Sequence, residues 1–317
     1  MKKLDWKGIR WGEYVVYYIF LGIFLLFSVV LYDKGFLSIN NLMNIIRQSA
    51  IMAIMGVGMT FVLSAAEIDL SFGSIVALAA IVTAMVLRST DSILLSVLGG
   101  LAVGVFFGFI NGLFVAKVGI PSFLITLGMS SIILGIARWV SGLQSIPIIN
   151  DRFTFLFGSG NIGSVPVLLL WVAAVMLVGH FVLTKTPFGR QVLATGGNRL
   201  TALYSGINVN RIKLAVMTLN GALAALAGIL YSGRLHGARY TLGENDVMIV
   251  IAGTIIGGTS MFGGKGYVIG SVIGAIIMAM LSNGLILFGL SVDQQMISRG
   301  AIIIIAVALT MRKQRNS

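Results

Sequence analysis

The sequence contains no cysteine, only ten acidic residues and only two histidines among 317 positions. The lack of cysteine excludes disulfides, thiolate metal ligands and a cysteine nucleophile. His180 and His236 stand apart from each other and from clustered partners, so no metal site is predicted. Charged residues make up only 10% of the chain, which is too few to solvate a globular fold of this length. A single soluble domain is therefore excluded.

Most of the sequence consists of long apolar runs. A spanning helix needs roughly 20 mainly apolar residues, and such stretches recur over almost the whole sequence. We predict an all-α, polytopic transmembrane bundle of about ten spans in one domain, residues 1–317. The expected spans are 14–31, 42–63, 71–87, 93–116, 121–141, 165–183, 212–231, 247–261, 267–288 and 296–309. The first is too long for a cleaved signal, whose apolar region is about 7 to 15 residues.

The basic residues fit this topology. The net charge is +12, but the positive residues are scattered between apolar runs, so no nucleic-acid partner is predicted. With both termini cytoplasmic, the inner segments hold fourteen of the twenty-two basic residues, as the positive-inside rule requires. These are Lys2, Lys3, Lys7, Arg10, Lys117, Lys185, Arg190, Arg199, Arg211, Lys213, Lys265, Arg312, Lys313 and Arg315.

One run of glycines has helical spacing. Gly100, Gly104, Gly108 and Gly112 recur at every fourth residue. Small residues at this spacing let two helices approach closely in lipid, where van der Waals contact must hold them together. The four positions therefore predict a tight helix contact rather than chemistry.

Few polar residues lie at membrane depth, where ionisable groups are costly and are functional candidates by default. Residues 64–74 interrupt the apolar sequence with Glu67, Asp69, Ser71 and Ser74. Two interpretations stay open: these side chains cap the following helix, or they line a path for a polyhydroxylated solute. Asn111, Thr126, Asn220 and Asn283 lie inside apolar stretches and either bond to neighbouring helices or face the same passage.

The inner connection at about 185–211 is the other candidate. It is basic, lacks acidic residues and contains Gly196-Gly197-Asn198 before a run that can form a short helix. It suits a surface against which a partner presses, although a simple basic loop is the alternative. Residues 257–266 look like a phosphate loop, but Thr259 replaces the first glycine and Gly266 follows the lysine. ATP must then be handled by another chain.

Four segments together resemble the permeases of ribose-type ATP-binding-cassette (ABC) sugar importers, in the second carbohydrate-uptake class. They extend from about residue 40 to the C-terminus. They are Met59-Thr60-Phe61-Val62-Leu63 into Ile68-Asp69-Leu70-Ser71-Phe72-Gly73-Ser74; Asn111-Gly112 through Ile120-Pro121-Ser122-Phe123-Leu124-Ile125-Thr126-Leu127; Thr186-Pro187-Phe188-Gly189-Arg190 through Gly196-Gly197-Asn198 to Ser205-Gly206-Ile207-Asn208-Val209; and Ile256-Gly257-Gly258-Thr259-Ser260 with Gly263-Gly264-Lys265-Gly266.

The resemblance implies a type II importer fold in the bacterial cytoplasmic (inner) membrane. It implies import of a monosaccharide, pentose or hexose, by a pair of permeases, either two copies or this chain with a homologous sister. Two cytoplasmic ATPase subunits hold the ATP and Mg²⁺, so this chain is not an enzyme and needs no cofactor of its own. A soluble periplasmic or extracellular binding protein delivers the solute, and membrane lipid surrounds the helices.

The resemblance also suggests residue roles. A coupling segment contacts the ATPase, and its expected residues here are Gly189, Arg190, Asn198, Arg199, Gly206 and Asn208. Two positions depart from many members: Arg199 stands where an acid is usual, and Ala66-Glu67 replaces a glycine pair. Both would suit a permease that pairs with a non-identical sister.

Other functions stay open at this point. A nucleoside or an autoinducer-like furanose would use the same machinery, because the binding protein selects the solute. A secondary transporter would use Glu67 and Asp69 as ion-responsive carboxylates. An intramembrane enzyme ranks last, since no nucleophile and base or metal-ligand set shares a plausible depth.

Overall fold

A computed structural model describes the backbone of residues 11–315 and the side chains of residues 16–302 and 304. Part of the predicted cytoplasmic charge lies outside these residues. This part comprises Lys2, Lys3, Lys7 and Arg10, and the side chains of Arg312, Lys313 and Arg315.

Helices dominate the described chain, as the apolar runs predict. They are α1 (Trp11–Val30), α2 (Ile39–Ser64), α3 (Phe72–Thr90), α4 (Ile93–Leu113), α5 (Ser122–Ser141), α6 (Asp151–Thr154), α7 (Val167–Lys185), α8 (Pro187–Gly197), α9 (Arg199–Tyr204), α10 (Val209–Arg234), α11 (Asp246–Ile256), α12 (Val268–Leu287) and α13 (Val292–Arg315). A 3₁₀ turn covers Tyr32–Lys34, and π-helical turns extend α4 over Phe114–Val118 and α6 over Phe155–Ser159. Four two-residue strands complete the fold: β1 (Ile146–Pro147), β2 (Asn161–Ile162), β3 (Val165–Pro166) and β4 (Gly237–Ala238).

Seven helices within the described residues are long and apolar enough to cross a membrane. They are α2, α3, α4 with its π-helical extension, α5, α7, α10 and α12. A helix also occupies each of the other three predicted spans, but α11 has only 11 residues, or about 16 Å at 1.5 Å per residue. The predicted span 247–261 is therefore shortened: α11 ends at Ile256, and Gly258 has a positive φ of 96° that turns the chain.

The helices form an inner group and an outer group. In α2, 83% of the most apolar stretch is buried, and α3, α10 and α12 are mostly buried as well. In α4 and α5 the corresponding share is 22%. Because these exposed surfaces are apolar, with side chains such as Leu98, Phe106 and Leu127, they suit contact with lipid tails.

The glycines of α4 lie where α4 meets α10 and α3. All four are buried. A Cβ on Gly104 would overlap the carbonyl oxygen of Gly221 in α10, and a Cβ on Gly108 would lie 2.6 Å from the carbonyl oxygen of Met217. The two backbones are thus in direct contact, which no larger residue at these positions would permit.

The connections fall into two sets, one at each end of the bundle. At the first end, here called the α8 end, the Gly264 amide donates to the Ser64 carbonyl oxygen over 3.0 Å, and residues 65–71 contact the start of α5. At the opposite end, called the β end, β1 pairs with β4 in an antiparallel ladder that joins the connections after α5 and α10. Asn150 donates to Asp91 there, over 2.9 Å.

Exposed charge differs between the two ends. Among the side chains that the structure describes at the α8 end, the acidic ones, Glu67 and Asp69, are both buried, and those with exposed charge are all basic. The exposed basic residues are Lys117, Lys185, Arg190, Arg199, Arg211 and Lys265. The β end mixes both signs, with Asp33, Lys34, Arg88 and Asp91 exposed.

Candidate functional site

The connection between α2 and α3, residues 65–71, is here called the polar segment. Ala66 adopts a left-handed conformation with φ of 60°, which ends α2 and starts an extended stretch. An extended backbone inside a helical bundle leaves amides without helical partners. Side chains of α5 supply them: Ser122 Oγ accepts from the Ile68 amide and Thr126 Oγ1 accepts from the Leu70 amide, both at 3.0 Å.

A hydrogen-bonded network surrounds Asp69 within this segment. Its Oδ1 accepts from the amide and hydroxyl of Ser71, at 2.8 and 2.7 Å. Its Oδ2 accepts from Asn220 Nδ2 of α10 at 2.8 Å, while Asn111 Nδ2 of α4 donates to Ser71 Oγ at 2.7 Å. Ser71 and Asn220 thus donate to the two carboxylate oxygens, and Asn111 donates in turn to the Ser71 hydroxyl. Asn111 Oδ1 is buried without a partner.

The remaining predicted pathway residues lie around or away from this network. Glu67 forms an ion pair with Lys213 of α10. Ser74 and Ser130 share a hydrogen bond of 2.8 Å between α3 and α5. Asn283 lies at the β end, where it exchanges two amide hydrogen bonds with Asn41. The structure therefore brings all of these residues except Asn283 to one part of the bundle.

The side chains of the network are completely buried. Asp69, Ser71, Asn111 and Thr126 each have 0% of their surface exposed. In this conformation they bind one another across α3, α4, α5 and α10 and do not line an open passage. The network supplies hydrogen bonds to the polar segment and keeps its polar side chains buried between the helices.

Ser122 was not predicted as a site residue, and the partner of Asn220 was not predicted either. Ser122 lies one helical turn before Thr126, and that spacing was an available signal. Asn220 is a polar residue in an apolar helix, but its pairing with Asp69 joins positions 151 residues apart. Nothing local in the sequence indicates such a contact.

The second part of the candidate site is the α8–α9 surface, residues 187–206. Thr186 caps α8 by accepting from the Gly189 amide at 3.2 Å, and Asn198 caps α9 by accepting from the Thr201 amide at 3.0 Å. Gly206 then turns the chain with φ of 79°. Asn208 caps α10 by accepting from the Arg211 amide at 3.1 Å.

The side chains of this surface are partly basic and partly apolar. Arg190 and Arg199 are exposed. Leu200 is 64% exposed and Tyr204 is 89% exposed on the two turns of α9. Apolar side chains surrounded by positive charge suit a protein partner whose cleft is apolar and whose rim is acidic.

The α8–α9 surface is joined to the bundle through backbone contacts. A Cβ on Gly196 would overlap the Ser64 carbonyl oxygen at the end of α2 and would lie 2.9 Å from the Gly264 amide nitrogen. Gly189 likewise packs against the Leu183 carbonyl oxygen of α7. Force applied to α8 would therefore reach both the polar segment and the turn at 257–267.

The described residues contain no group of three or more His, Cys, Asp or Glu side chains that could hold a metal ion. In the turn at 257–267, the Ser260 amide bonds to the Lys265 carbonyl oxygen at 3.0 Å and the turn packs on α8. This loop contributes to the connection between α8 and the bundle.

Seven apolar helices with a polar centre and a basic end define a multi-pass membrane protein. Residues 41–307 match the family described as branched-chain amino acid transport system / permease component. The match covers most of the chain, so the chain belongs to this family of transport permeases, and the predicted membership is confirmed.

Similar known proteins are also permeases. Over 297 residues, the chain is 38% identical to the ribose import permease protein RbsC of Bacillus subtilis (strain 168), covering 93% of this chain and 92% of that protein. It is 37% identical over 303 residues to the D-allose transport system permease protein AlsC of Escherichia coli (strain K12), covering 95% and 92%. It is 34% identical over 296 residues to the probable ABC transporter permease protein YphD of the same strain, covering 93% and 88%.

No solved structure matches the chain. The relatives are permease subunits of transport systems and not enzymes, as the sequence predicted. The chain is thus a permease subunit of an ABC transporter.

Proposed function

We propose that this chain forms the membrane path of an importer that takes up a monosaccharide, a pentose or a hexose, using ATP hydrolysed on a separate subunit. The similarity to a ribose import permease over nearly the full length of both chains carries the proposal. The polar segment supports it, because carboxylate, hydroxyl and amide groups are the partners that sugar hydroxyls need.

The orientation follows from the exposed charge. We place the α8 end in the cytoplasm of a bacterium and the β end outside the inner membrane, because the described side chains that carry exposed charge at the α8 end are all basic. Both termini are then cytoplasmic if α1, α11 and α13 also cross. That gives ten spans, in one of which residues 239–245 carry the chain from β4 to the start of α11 beside Gly73.

The cytoplasmic partner is a pair of ATPase subunits that carry ATP and Mg²⁺. The α8–α9 surface is their contact, with Gly189, Arg190, Asn198, Arg199, Gly206 and Asn208 in or beside it. Binding of ATP closes the ATPase pair and stabilises one permease conformation over the other, which is alternating access by population shift. A second permease, identical or a sister chain, and a solute-binding protein at the β end complete the assembly.

The polar network has a place in this cycle. The Ser71 hydroxyl bonds to both Asp69 and Asn111 when the bundle is closed around them. A shift of α10 relative to the polar segment would free these groups to face a solute. Glu67, Ser74 and Thr126 lie beside them, whereas Asn283 would meet the solute only at the outer end.

The test is reconstitution of the chain in liposomes with its ATPase and binding protein, assayed with a panel of radiolabelled sugars. We expect uptake of at least one monosaccharide and faster ATP hydrolysis when the loaded binding protein is added. The same liposomes without the ATPase are the control and should show neither. Uptake that follows an imposed proton or sodium gradient without the ATPase would overturn the proposal in favour of a secondary transporter.

A further inference from the structure

The ion pair between Glu67 and Lys213 stands out from the other charges. It is the only ion pair between side chains that the structure describes. The Glu67 side chain is 8% exposed and the Lys213 side chain is 17% exposed, so both charges are largely withdrawn from solvent. An unpaired charge at such a place is costly, which favours keeping the two groups together.

Glu67 is fixed to the end of α2. Its amide donates to the Val62 carbonyl oxygen over 3.1 Å, immediately after the left-handed turn at Ala66. Two residues later, Asp69 binds Asn220 of α10. The polar segment is therefore attached to α10 at two levels, by a charge pair near the end of the helix and by a neutral donor deeper in the bundle.

Lys213 lies in the second turn of α10, which follows α9 after the turn at Gly206. The Ile207 amide donates to the Ala202 carbonyl oxygen over 3.0 Å, and Asn208 caps the first turn of α10. Ala202, Val209 and Ile212 are buried, so this junction is packed as well as hydrogen-bonded. A displacement of α9 would consequently move the first turns of α10 with it.

We propose that Glu67 and Lys213 are positioning residues that make the polar segment follow α10 when α9 is displaced. This inference rests on the proposed function, in which the ATPase moves the α8–α9 surface. The pair stays closed through the cycle, and it converts the movement of α9 into a movement of residues 65–71. It is a different route from the backbone contact at Gly196, which reaches Ser64 through α8.

The first test compares Glu67→Gln, Lys213→Met and the exchanged pair Glu67→Lys with Lys213→Glu. Each single change removes one charge, so we expect sugar transported per ATP hydrolysed to fall about tenfold, within the coupling range of contacting charged residues. The exchanged pair should recover most of the ratio. Lys117→Met is the matched control, because Lys117 is an exposed lysine at the same end, and it should keep the wild-type ratio.

The ratio separates a positioning role from a purely structural one. Loss of folding would lower the amount of complex, and with it transport and stimulated ATP hydrolysis together, without changing their ratio. Single variants with an unchanged ratio, or an exchanged pair that fails to recover it while remaining folded, would overturn the inference. Failure of the proposed function is distinct, because wild-type complexes would then show no ATP-driven uptake at all.

A second test uses the absence of cysteine from the sequence. Glu67→Cys with Lys213→Cys gives two unique thiols that a flexible bifunctional thiol reagent can join. We expect the unlinked variant to be poorly coupled and the linked one to regain coupling, since the link replaces the ion pair. Arrest of transport on linking would show that the two positions must separate and would contradict the inference.

Discussion

The contact between α4 and α10 gives a quantitative prediction for Gly104→Ala. The added Cβ would lie 2.5 Å from the Ala225 Cβ and would overlap the Gly221 carbonyl oxygen. Carbon atoms in contact normally lie about 3.5–4.0 Å apart, so the helices must separate by about 1 Å. Backbone atoms line this contact, so no side chain can turn aside to make room.

Two energies oppose each other in this variant. Replacing glycine by alanine within a helix stabilises the helix by roughly 1 kcal/mol. Overpacking a well-packed contact destabilises the fold by about 1–3 kcal/mol. Gly128→Ala on α5 is the matched control, because a Cβ there meets nothing within 4 Å. Both variants share the helix gain, so their free energies of unfolding should differ by the overpacking cost alone, about 1–3 kcal/mol.

The assay is unfolding of the purified full chain in mixed detergent micelles, titrated with sodium dodecyl sulfate and followed by the helical circular dichroism signal. We expect Gly104→Ala to unfold at a lower mole fraction of the denaturing detergent than Gly128→Ala. If the two variants unfold together, the backbone contact between α4 and α10 does not exist as described.

Three further predictions concern the site. Asp69→Asn places an amide donor against either the donors of Ser71 or that of Asn220, and we expect a loss of about 2–3 kcal/mol in the same unfolding assay. The control is Asp33→Asn at an exposed position, which should leave the stability unchanged. Tyr204→Ala removes an 89% exposed aromatic side chain. Binding of the ATPase should therefore weaken about tenfold or more, while the permease keeps its stability. If the variant binds the ATPase as well as the wild type does, the contact lies elsewhere. Collapsing proton and sodium gradients should leave uptake unchanged, whereas removing Mg²⁺ from the ATPase side should stop it, and the reverse pattern would indicate an ion-coupled transporter.

Hydrophobic pattern was sufficient to locate the main helices. Each predicted span contains a helix in the described chain, because a long apolar run has one stable backbone conformation in lipid, with its hydrogen bonds made internally. The helix at 247–261 was predicted too long, since apolar residues alone do not show where a helix ends. The left-handed Gly258 instead turns the chain after Ile256.

The polar contacts were less predictable. The sequence indicated that Asp69 was unusual, but its amide partner lies in a helix much later in the chain. The reciprocal amide pair of Asn41 and Asn283 joins residues 242 positions apart. Such contacts depend on how helices are arranged around one another, and the periodicity of a single helix carries no information on that arrangement.

The short ladder between β1 and β4 constrains how the β end can open. Ile146 faces Ala238 across the ladder, and the Ile148 amide adds a bond of 3.0 Å to the His236 carbonyl oxygen. These hydrogen bonds connect the loop after α5 to the loop after α10. If these bonds hold while the β end opens, the opening must form between other helices. The helices α5 and α10 would then tilt together as one rigid unit.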